Sequence, residues 1–221
     1  TPLAIIQSNA ELLEMLNKLG QKQDVVKCAK VINRITMAIS KMTDLMDDLL
    51  TLGKLTSGKV SHKPESFDVV KFCDNLVQEF NVIQVDGRSI DFIVLGKPSM
   101  VYLDAKLLGH TLSNLISNAF KYSLGQKNPQ LSLEFTETEL LLSIKDFGLG
   151  IPKEEQLNLF EPFFRADNVS EIQGTGLGLS IAKEYVQVNN GNIIVKSTLG
   201  EGSCFVLKFK IIEFFSPKTN I

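Results

Sequence analysis

Asn114, Asn118, Lys121 and Tyr122 are the first residues in this chain whose types and spacing suggest chemistry. The run 104–122 reads as a helix. Leu108, Leu112, Leu115, Ile116, Ala119 and Phe120 gather on one side of it, and the two asparagines, the lysine and the tyrosine fall together on the other, because positions three and four apart stack on a helix. An amide oxygen is a neutral, hard ligand that suits Mg²⁺, an ion that keeps waters and takes most of its charge from substrate phosphates. Lys121 offers point positive charge to such phosphates, and Tyr122 a flat ring to a base or ribose. Alone, the patch is slightly better explained as a solvated polar face.

A second patch follows a strand-like run, Leu140 to Ile144, and reads Asp146-Phe147-Gly148-Leu149-Gly150-Ile151-Pro152. A carboxylate at a strand end can accept a hydrogen bond from an exocyclic amine of the kind adenine presents, and glycines beside it let backbone approach a flat ring. A plain turn accounts for Asp146 and one glycine, but not for two glycines followed by a proline. The third patch, Gly174-Thr175-Gly176-Leu177-Gly178-Leu179, opens a helix predicted from about residue 176. Backbone N–H groups freed by glycine at a helix N-terminus bind phosphate through hydrogen bonds and the helix dipole. A dinucleotide-binding turn needs a strand directly before its glycines; here 166–173 is polar and loop-like, and there is no Gly-Lys-Ser/Thr run of the P-loop type. Between the second and third patches lies a long segment with Phe160-Glu161-Pro162-Phe163-Phe164-Arg165. A loop of that length between binding motifs is usually functional, and it reads as a lid anchored by its phenylalanines, with Arg165 available to a terminal phosphate.

These patches need a scaffold, and the pattern from Lys63 onward supplies one. Residues 90–95, 131–135, 140–144, 193–195 and 204–209 read as strands, and 68–83, 104–122 and 176–189 as helices, predicting an α/β sandwich with helices on one face of a mixed sheet. The first 57 residues follow another period. Val25, Cys28, Ile32, Ile35, Ile39, Met42, Met46 and Leu49 alternate spacings of three and four, a heptad seam, widened by Leu45, Leu50 and Leu52. Before it, Ile5, Leu12, Leu16 and Leu19 form a second stripe, with a break at Gly20 to Asp24. Two helices cannot bury so wide a stripe between themselves, which predicts a homodimeric four-helix bundle. The expected division is 1–57 helical hairpin, 58–66 linker, 67–212 ligand-binding domain and 213–221 tail, and the fold class α+β.

Composition sets the limits. The 221 residues are 44% hydrophobic and 22% charged with a formal charge of −2, enough for a sizeable core and without the basic excess of a nucleic-acid footprint. Cys28, Cys73 and Cys204 show no metal-ligand spacing and are expected to be reduced and buried. No run approaches membrane-span length. The opening Thr1-Pro2-Leu3, without an initiator Met, suggests a fragment.

The order of asparagine helix, Asp-Gly-Gly turn, phenylalanine-rich lid and Gly-Thr-Gly-Leu-Gly-Leu resembles the catalytic domain of sensor histidine kinases, and Gly200-Glu201-Gly202-Ser203 resembles that family's last glycine box. The helical hairpin resembles its dimerisation and phosphoacceptor domain, and Thr1-Pro2-Leu3 the end of its acceptor motif, His-Glu-x-x-Thr-Pro-Leu. The resemblance implies Mg-ATP as the bound species. Asn118 would be the Mg²⁺ ligand with Asn114 in support. Lys121 and Arg165 would meet phosphates, Tyr122 would pack on the nucleoside, and Asp146 would read the adenine amine. Gly148 and Gly150 would shape the base pocket, and Gly174, Thr175, Gly176, Leu177, Gly178 and Leu179 would hold the lid's end around the triphosphate.

It also implies a response-regulator receiver domain as partner, phosphorylation of a histidine expected four residues before Thr1, and a place on the cytoplasmic side, in reach of a membrane-anchored sensor although this fragment itself makes no membrane contact. Thr1 would help orient water when the partner is dephosphorylated. His62 falls in the linker and His110 on the asparagine face, about two turns from Asn118 at roughly 1.5 Å rise per residue, so neither replaces the acceptor, and the fragment is expected to bind ATP without phosphorylating itself. ATPases of the gyrase, MutL and heat-shock chaperone type place a glutamate four residues before the metal-binding asparagine as base for water. Asn114 stands there instead, which turns the expectation from hydrolysis toward transfer.

Overall fold

The computed structural model describes residues 2–18, 25–172 and 174–211. The break predicted at Gly20–Asp24, the residue Thr1 and the tail 213–221 lie outside them. The chain divides between Gly58 and Lys59 into two compact units.

The first unit is a pair of helices, α1 (Pro2–Lys18) and α2 (Val25–Thr56), which pack against each other. Their shared face buries Asn9, Val31 and Ala38, with Ile6, Leu13, Leu16, Cys28, Ile35, Met42 and Leu45 half-buried around it. The heptad seam is therefore split. Cys28, Ile35 and Met42 serve the hairpin, whereas Ile32, Ile39 and Met46, seven residues apart, remain 53%, 51% and 61% exposed. Ile5 and Leu12 of α1 are likewise exposed.

The second unit runs β1 (Glu65–Phe67), α3 (Val69–Ile83), β2 (Asp91–Leu95), β3 (Val101–Leu103), α4 (Ala105–Tyr122), β4 (Gln130–Phe135), β5 (Glu139–Lys145), α5 (Gly178–Val188), β6 (Asn192–Thr198) and β7 (Gly202–Lys210). Five strands form one mixed sheet in the order β2-β4-β5-β7-β6. β2 and β4 are parallel and the other pairs antiparallel. Alternation decides the faces. Leu131, Leu133 and Phe135 lie in register with Ile144, Leu142 and Leu140, and these with Phe205, Leu207 and Phe209, and all nine are buried. That face meets Val69, Cys73 and Val77 of α3, Leu108, Leu112, Leu115 and Ile116 of α4 and Val186 of α5 in one core, where each fully buried leucine contributes about 1.5–3 kcal/mol. The opposite face carries Ser132, Glu134, Ser143 and Lys208, none of them buried.

β1 and β3, a separate two-stranded antiparallel ribbon, have no counterpart in the sequence reading. At three residues each they are too short for alternation to register. Within the stretch read as linker, Glu65 and Ser66 belong to β1, and the Lys63 amide donates to Asp104 Oδ2 at 2.8 Å. Asp104 is also the N-cap of α4, accepting from the Lys106 and Leu107 amides at 3.0 and 3.1 Å, a bond set that fixes where the asparagine helix begins.

Candidate functional site

All three sequence patches meet on α4. Asn118 Nδ2 donates to Asn114 Oδ1 at 2.9 Å, so the pair acts as one unit, and Asn118 Oδ1 is the atom left to serve a cation. Gly178, the first residue of α5, lies directly against Asn114: a Cβ built there would collide with its amide, with Oδ1 at 2.7 Å and Cγ at 2.9 Å. One turn further along α4, Lys121 Nζ donates to Tyr122 Oη at 3.1 Å and stands 4.7 Å from the ring centre. Gly174 faces this pair, its would-be Cβ 3.0 Å from Lys121 Nζ, 3.7 Å from Tyr122 Oη and 3.9 Å from Arg165 Nε.

The Asp146 turn docks on the same helix end. The Leu149 amide donates to the Tyr122 carbonyl at 3.2 Å, and Gly148 packs so tightly on that carbonyl that no side chain fits between them. Asp146 is buried, and its Oδ1 accepts from the Gly148 amide at 2.9 Å and the Ser203 amide at 3.2 Å. Burial pushes its carboxyl above the usual range, opposed by those two hydrogen bonds. The second oxygen is the one available to a ligand amine. Gly150, at φ +64°, adopts a conformation that L side chains rarely take, and it abuts the Thr198 carbonyl.

The segment predicted to be a lid ends at Gly174, beside the lysine–tyrosine pair. The Phe163 amide donates to the Gly176 carbonyl at 3.0 Å, and Asn168 Nδ2 to the Gly150 carbonyl at 2.9 Å. Its phenylalanines divide: Phe160 packs on the core, whereas Phe163 is 58% exposed, at φ 67°. Arg165 does not point freely into the site. Its Nη2 serves the carbonyls of Val169, Ser170 and Ile172, while its Nε, buried beside Gly174, has no hydrogen-bond partner among the described residues.

α5 begins at Gly178, two residues later than predicted, and Leu177 before it gives no side-chain cap. Leu177 is wholly buried, and its carbonyl accepts from the Ile181 amide at 3.0 Å and the Ser180 hydroxyl at 2.8 Å. Leu179 packs on the core, and Thr175 Oγ1 accepts from the Leu177 amide at 3.2 Å. His110 is exposed, 6.0 Å from the Tyr185 ring. Thr1 lies outside the described residues.

Among the described residues no group of three or more His, Cys, Asp or Glu could hold a metal. A divalent cation at Asn118 would therefore draw most of its ligands from a nucleotide and water, as Mg²⁺ does; the donor set fits that ion. A cleft of about 390 Å³, lined by Tyr122, Leu124, Phe147, Gly148, Leu149 and Leu199 among others, opens beside the turn. It shares Tyr122 and Gly148 with the site but neither asparagine nor Asp146, so it is an adjoining space. Sequence reasoning missed Ser197, and it placed Ser203 in the last glycine box without its contact to Asp146. The Ser197 hydroxyl accepts from the Ile151 amide at 2.9 Å and lies 3.0 Å from Ser203 Oγ, bracing the turn across some fifty residues of sequence that carry no local signal. The cysteines depart from expectation in part. All are free, but of the three Cys73 alone is buried, while Cys28 and Cys204 are half-exposed.

A family model described as histidine kinase-, DNA gyrase B-, and HSP90-like ATPase matches residues 103–213, and the chain belongs to that family. Sensor histidine kinase WalK of Bacillus subtilis is 35% identical over 178 residues, 77% of this chain but 29% of WalK, so the chain spans less than a third of that relative. Among solved structures, histidine kinase AdeS of Acinetobacter baumannii is similar at a TM-score of 0.71 and 25% identity, covering 96% of both chains. Histidine kinase ThkA, solved in complex with response regulator protein TrrA, has a TM-score of 0.71 at 21% identity over 96% of this chain and 58% of its own, and at that identity it shows the fold alone.

Proposed function

We propose that this chain is the nucleotide-binding and dimerising part of an ATP-dependent protein-histidine kinase of a two-component system. The observation that supports it best is the convergence of three sequence-distant motifs on α4: Gly178 lies against Asn114 and its partner Asn118, Gly174 against Lys121, Tyr122 and Arg165, and Gly148 of the Asp146 turn against Tyr122.

In this reading Asn118, steadied by Asn114, holds Mg²⁺, whose charge offsets that of the β- and γ-phosphates when nucleotide is bound. Lys121 and Arg165 Nε bind phosphate oxygens, with the Gly174–Leu179 backbone as cradle. Tyr122 packs on the nucleoside, and Asp146 accepts from the adenine amine, with Gly148 and Gly150 giving the base room. The γ-phosphoryl passes to an imidazole nitrogen and ADP leaves. The chain's own contribution is positioning and charge neutralisation. Asn114 is an amide where a hydrolase would need a base, so the site favours transfer over water attack.

The boundaries 1–57, 58–66, 67–212 and 213–221 belong to the same proposal, as does dimerisation through the hairpin, supported by the uncovered Ile32, Ile39 and Met46 stripe. So do a response-regulator receiver domain as downstream partner, as for ThkA, and a cytoplasmic location, including as the inner portion of a membrane-anchored sensor. No helix among the described residues is long and apolar enough to cross a membrane. Neither His62 nor His110 occupies the acceptor position of the helical hairpin, and these are the chain's 2 histidines. The 221 residues are therefore expected to bind Mg-ATP without taking up phosphate, and Thr1 is assigned to the dephosphorylation reaction. The test is calorimetric titration with Mg-ATP, wild type against Asn118→Ala, alongside incubation with γ-labelled ATP. Unchanged affinity in Asn118→Ala overturns the site, and acid-labile label on the 221-residue chain overturns the acceptor assignment.

A further inference from the structure

Arg88 lies outside every motif of the site, on the bend that precedes β2, yet its side chain is only 10% exposed. Its Nη1 donates to the Ser123 carbonyl at 2.8 Å and the Ser123 hydroxyl at 2.9 Å, and its Nη2 to the Phe120 carbonyl at 2.9 Å. Asp86 holds the other side of the fork, with Arg88 Nε at 2.7 Å and Nη2 at 2.6 Å from its Oδ2. The guanidinium carbon stands 5.1 Å from the centre of the Phe120 ring.

A helix leaves its last four carbonyls without intrahelical partners. At the end of α4 the Ala119 carbonyl takes the Ser123 hydroxyl at 2.6 Å, the Tyr122 carbonyl takes the Leu149 amide, and the Ser123 carbonyl takes the Gln126 amide at 3.0 Å. Arg88 takes the Phe120 carbonyl and shares that of Ser123, and it brings positive charge to the negative end of the helix dipole. A guanidinium is suited to this because its rigid fork bonds two acceptors at once. The Arg88 hydrogen bond also holds the Asp86 carboxyl below its usual range.

The turn gripped in this way carries Lys121 and Tyr122, and it is the surface on which Gly148 and the Gly174 end of the lid rest. We propose that Arg88 is a positioning residue for nucleotide binding: its fork fixes the last turn of α4 so that Lys121 and Tyr122 face the lid and the Asp146 turn. The inference rests on the reading of this site as a Mg-ATP site. Arg88 acts through Lys121 and Tyr122 and touches no ligand. Asn114 and Asn118 are set from the other direction, by Gly178, and do not depend on it.

That division gives a test that a purely structural role would not pass. Mg-ATP affinity is measured by calorimetry on the 221-residue protein at a temperature where circular dichroism shows each variant folded. Arg88→Met keeps the apolar stem against Phe120 and removes the fork, and it is expected to weaken binding roughly tenfold, the scale of a small misplacement of a binding group. Arg88→Lys, which can serve one carbonyl at a time, should fall between. In a Tyr122→Ala background the Arg88→Met loss should shrink to roughly a third or less, because the group it positions is gone. In an Asn114→Ala background it should persist in full, as independent sites add. If Arg88→Met does not fold, Arg88→Lys carries the same comparison. Wild-type affinity in these variants, or an equal loss in both backgrounds, overturns the inference. Absence of Mg-ATP binding by the wild-type protein overturns the nucleotide reading together with it.

Discussion

Replacing Gly178 by alanine should separate binding from folding. The new Cβ would collide with the Asn114 amide, with Oδ1 at 2.7 Å and Cγ at 2.9 Å, so the Asn114 side chain must swing away. Swinging away breaks its 2.9 Å bond with Asn118, a loss of about 0.5–1.5 kcal/mol. Against this, alanine replaces glycine in the first turn of α5, a gain of up to about 1 kcal/mol. The two offset, and the unfolding free energy should stay within about 1 kcal/mol of wild type. Affinity should not stay. An Asn118 released from Asn114 must be ordered again when it meets Mg²⁺, at a cost of about 0.5–1.5 kcal/mol, which raises Kd for Mg-ATP roughly two- to tenfold.

Gly148→Ala is the contrast. Its Cβ would strike the Tyr122 carbonyl, with the carbonyl carbon at 2.6 Å and Ser123 Cα at 2.8 Å. These are backbone atoms that cannot rotate away, so the domain itself should lose about 3 kcal/mol or more. Urea unfolding and calorimetry on both variants decide the matter. If Gly178→Ala unfolds as readily as Gly148→Ala, or binds Mg-ATP like wild type, the assignment of the Asn114–Asn118 unit is wrong.

Other expectations follow from the same geometry. Asp146→Asn removes a buried charge while its Oδ1 can still accept from Gly148 and Ser203, so urea stability should hold or rise, whereas Mg-ATP affinity should drop roughly 10- to 100-fold with the loss of a charged acceptor. Because burial raises the Asp146 carboxyl, the folded protein holds that proton more tightly than the unfolded chain. Its charge therefore penalises the fold at neutral pH, the penalty is relieved as pH falls, and wild-type affinity should decline over the same acid range as the carboxylate is lost. Ile39→Glu, in the middle of the exposed stripe, should convert a dimer to monomer in analytical ultracentrifugation without loss of helix, and an unchanged dimer would place the interface elsewhere. Burial pushes the Cys73 thiol from 9.0 up to about 12. Stability should therefore be intact below 9 and fall between 9 and 12 as the unfolded thiol ionises, with a slope of at most about 1.4 kcal/mol per pH unit. Comparing urea midpoints of wild type and Cys73→Ala at about pH 8 and pH 10.5 would reveal it.

Long elements with strong periodicity were legible. The strands around Leu131–Phe135, Leu140–Ile144 and Cys204–Phe209 alternate clearly enough to assign each residue to a face, and Asn114, Asn118, Lys121 and Tyr122 share one side of α4 simply because helical geometry puts them there. Leu177 and Leu179 were read as part of the cradle because they sit among its glycines, but their side chains lie in or against the core. The ribbon of β1 and β3 was missed because three residues are too few for a period. The heptad seam was visible, but not its division into a face that α1 covers and a face left bare by the hairpin, since that depends on which way α2 is turned.

Residue types and their local spacing thus determined the chemistry on offer: amides for a hard cation, glycine-freed amides for phosphate, a carboxylate at a strand end for an amine. Those properties are carried within a few bonds or one helical turn, so sequence alone transmits them. Tertiary structure decided that Gly178 would lie on Asn114, that Gly174 would meet Lys121, Tyr122 and Arg165, that Ser203 would steady Asp146 and that Arg88 would grip the end of α4. Apart from that of Gly174 with Arg165, these contacts join residues about 30 to 65 positions apart. They exist because the sheet register and the packing of α4 and α5 on one core bring them together, and no local pattern records that.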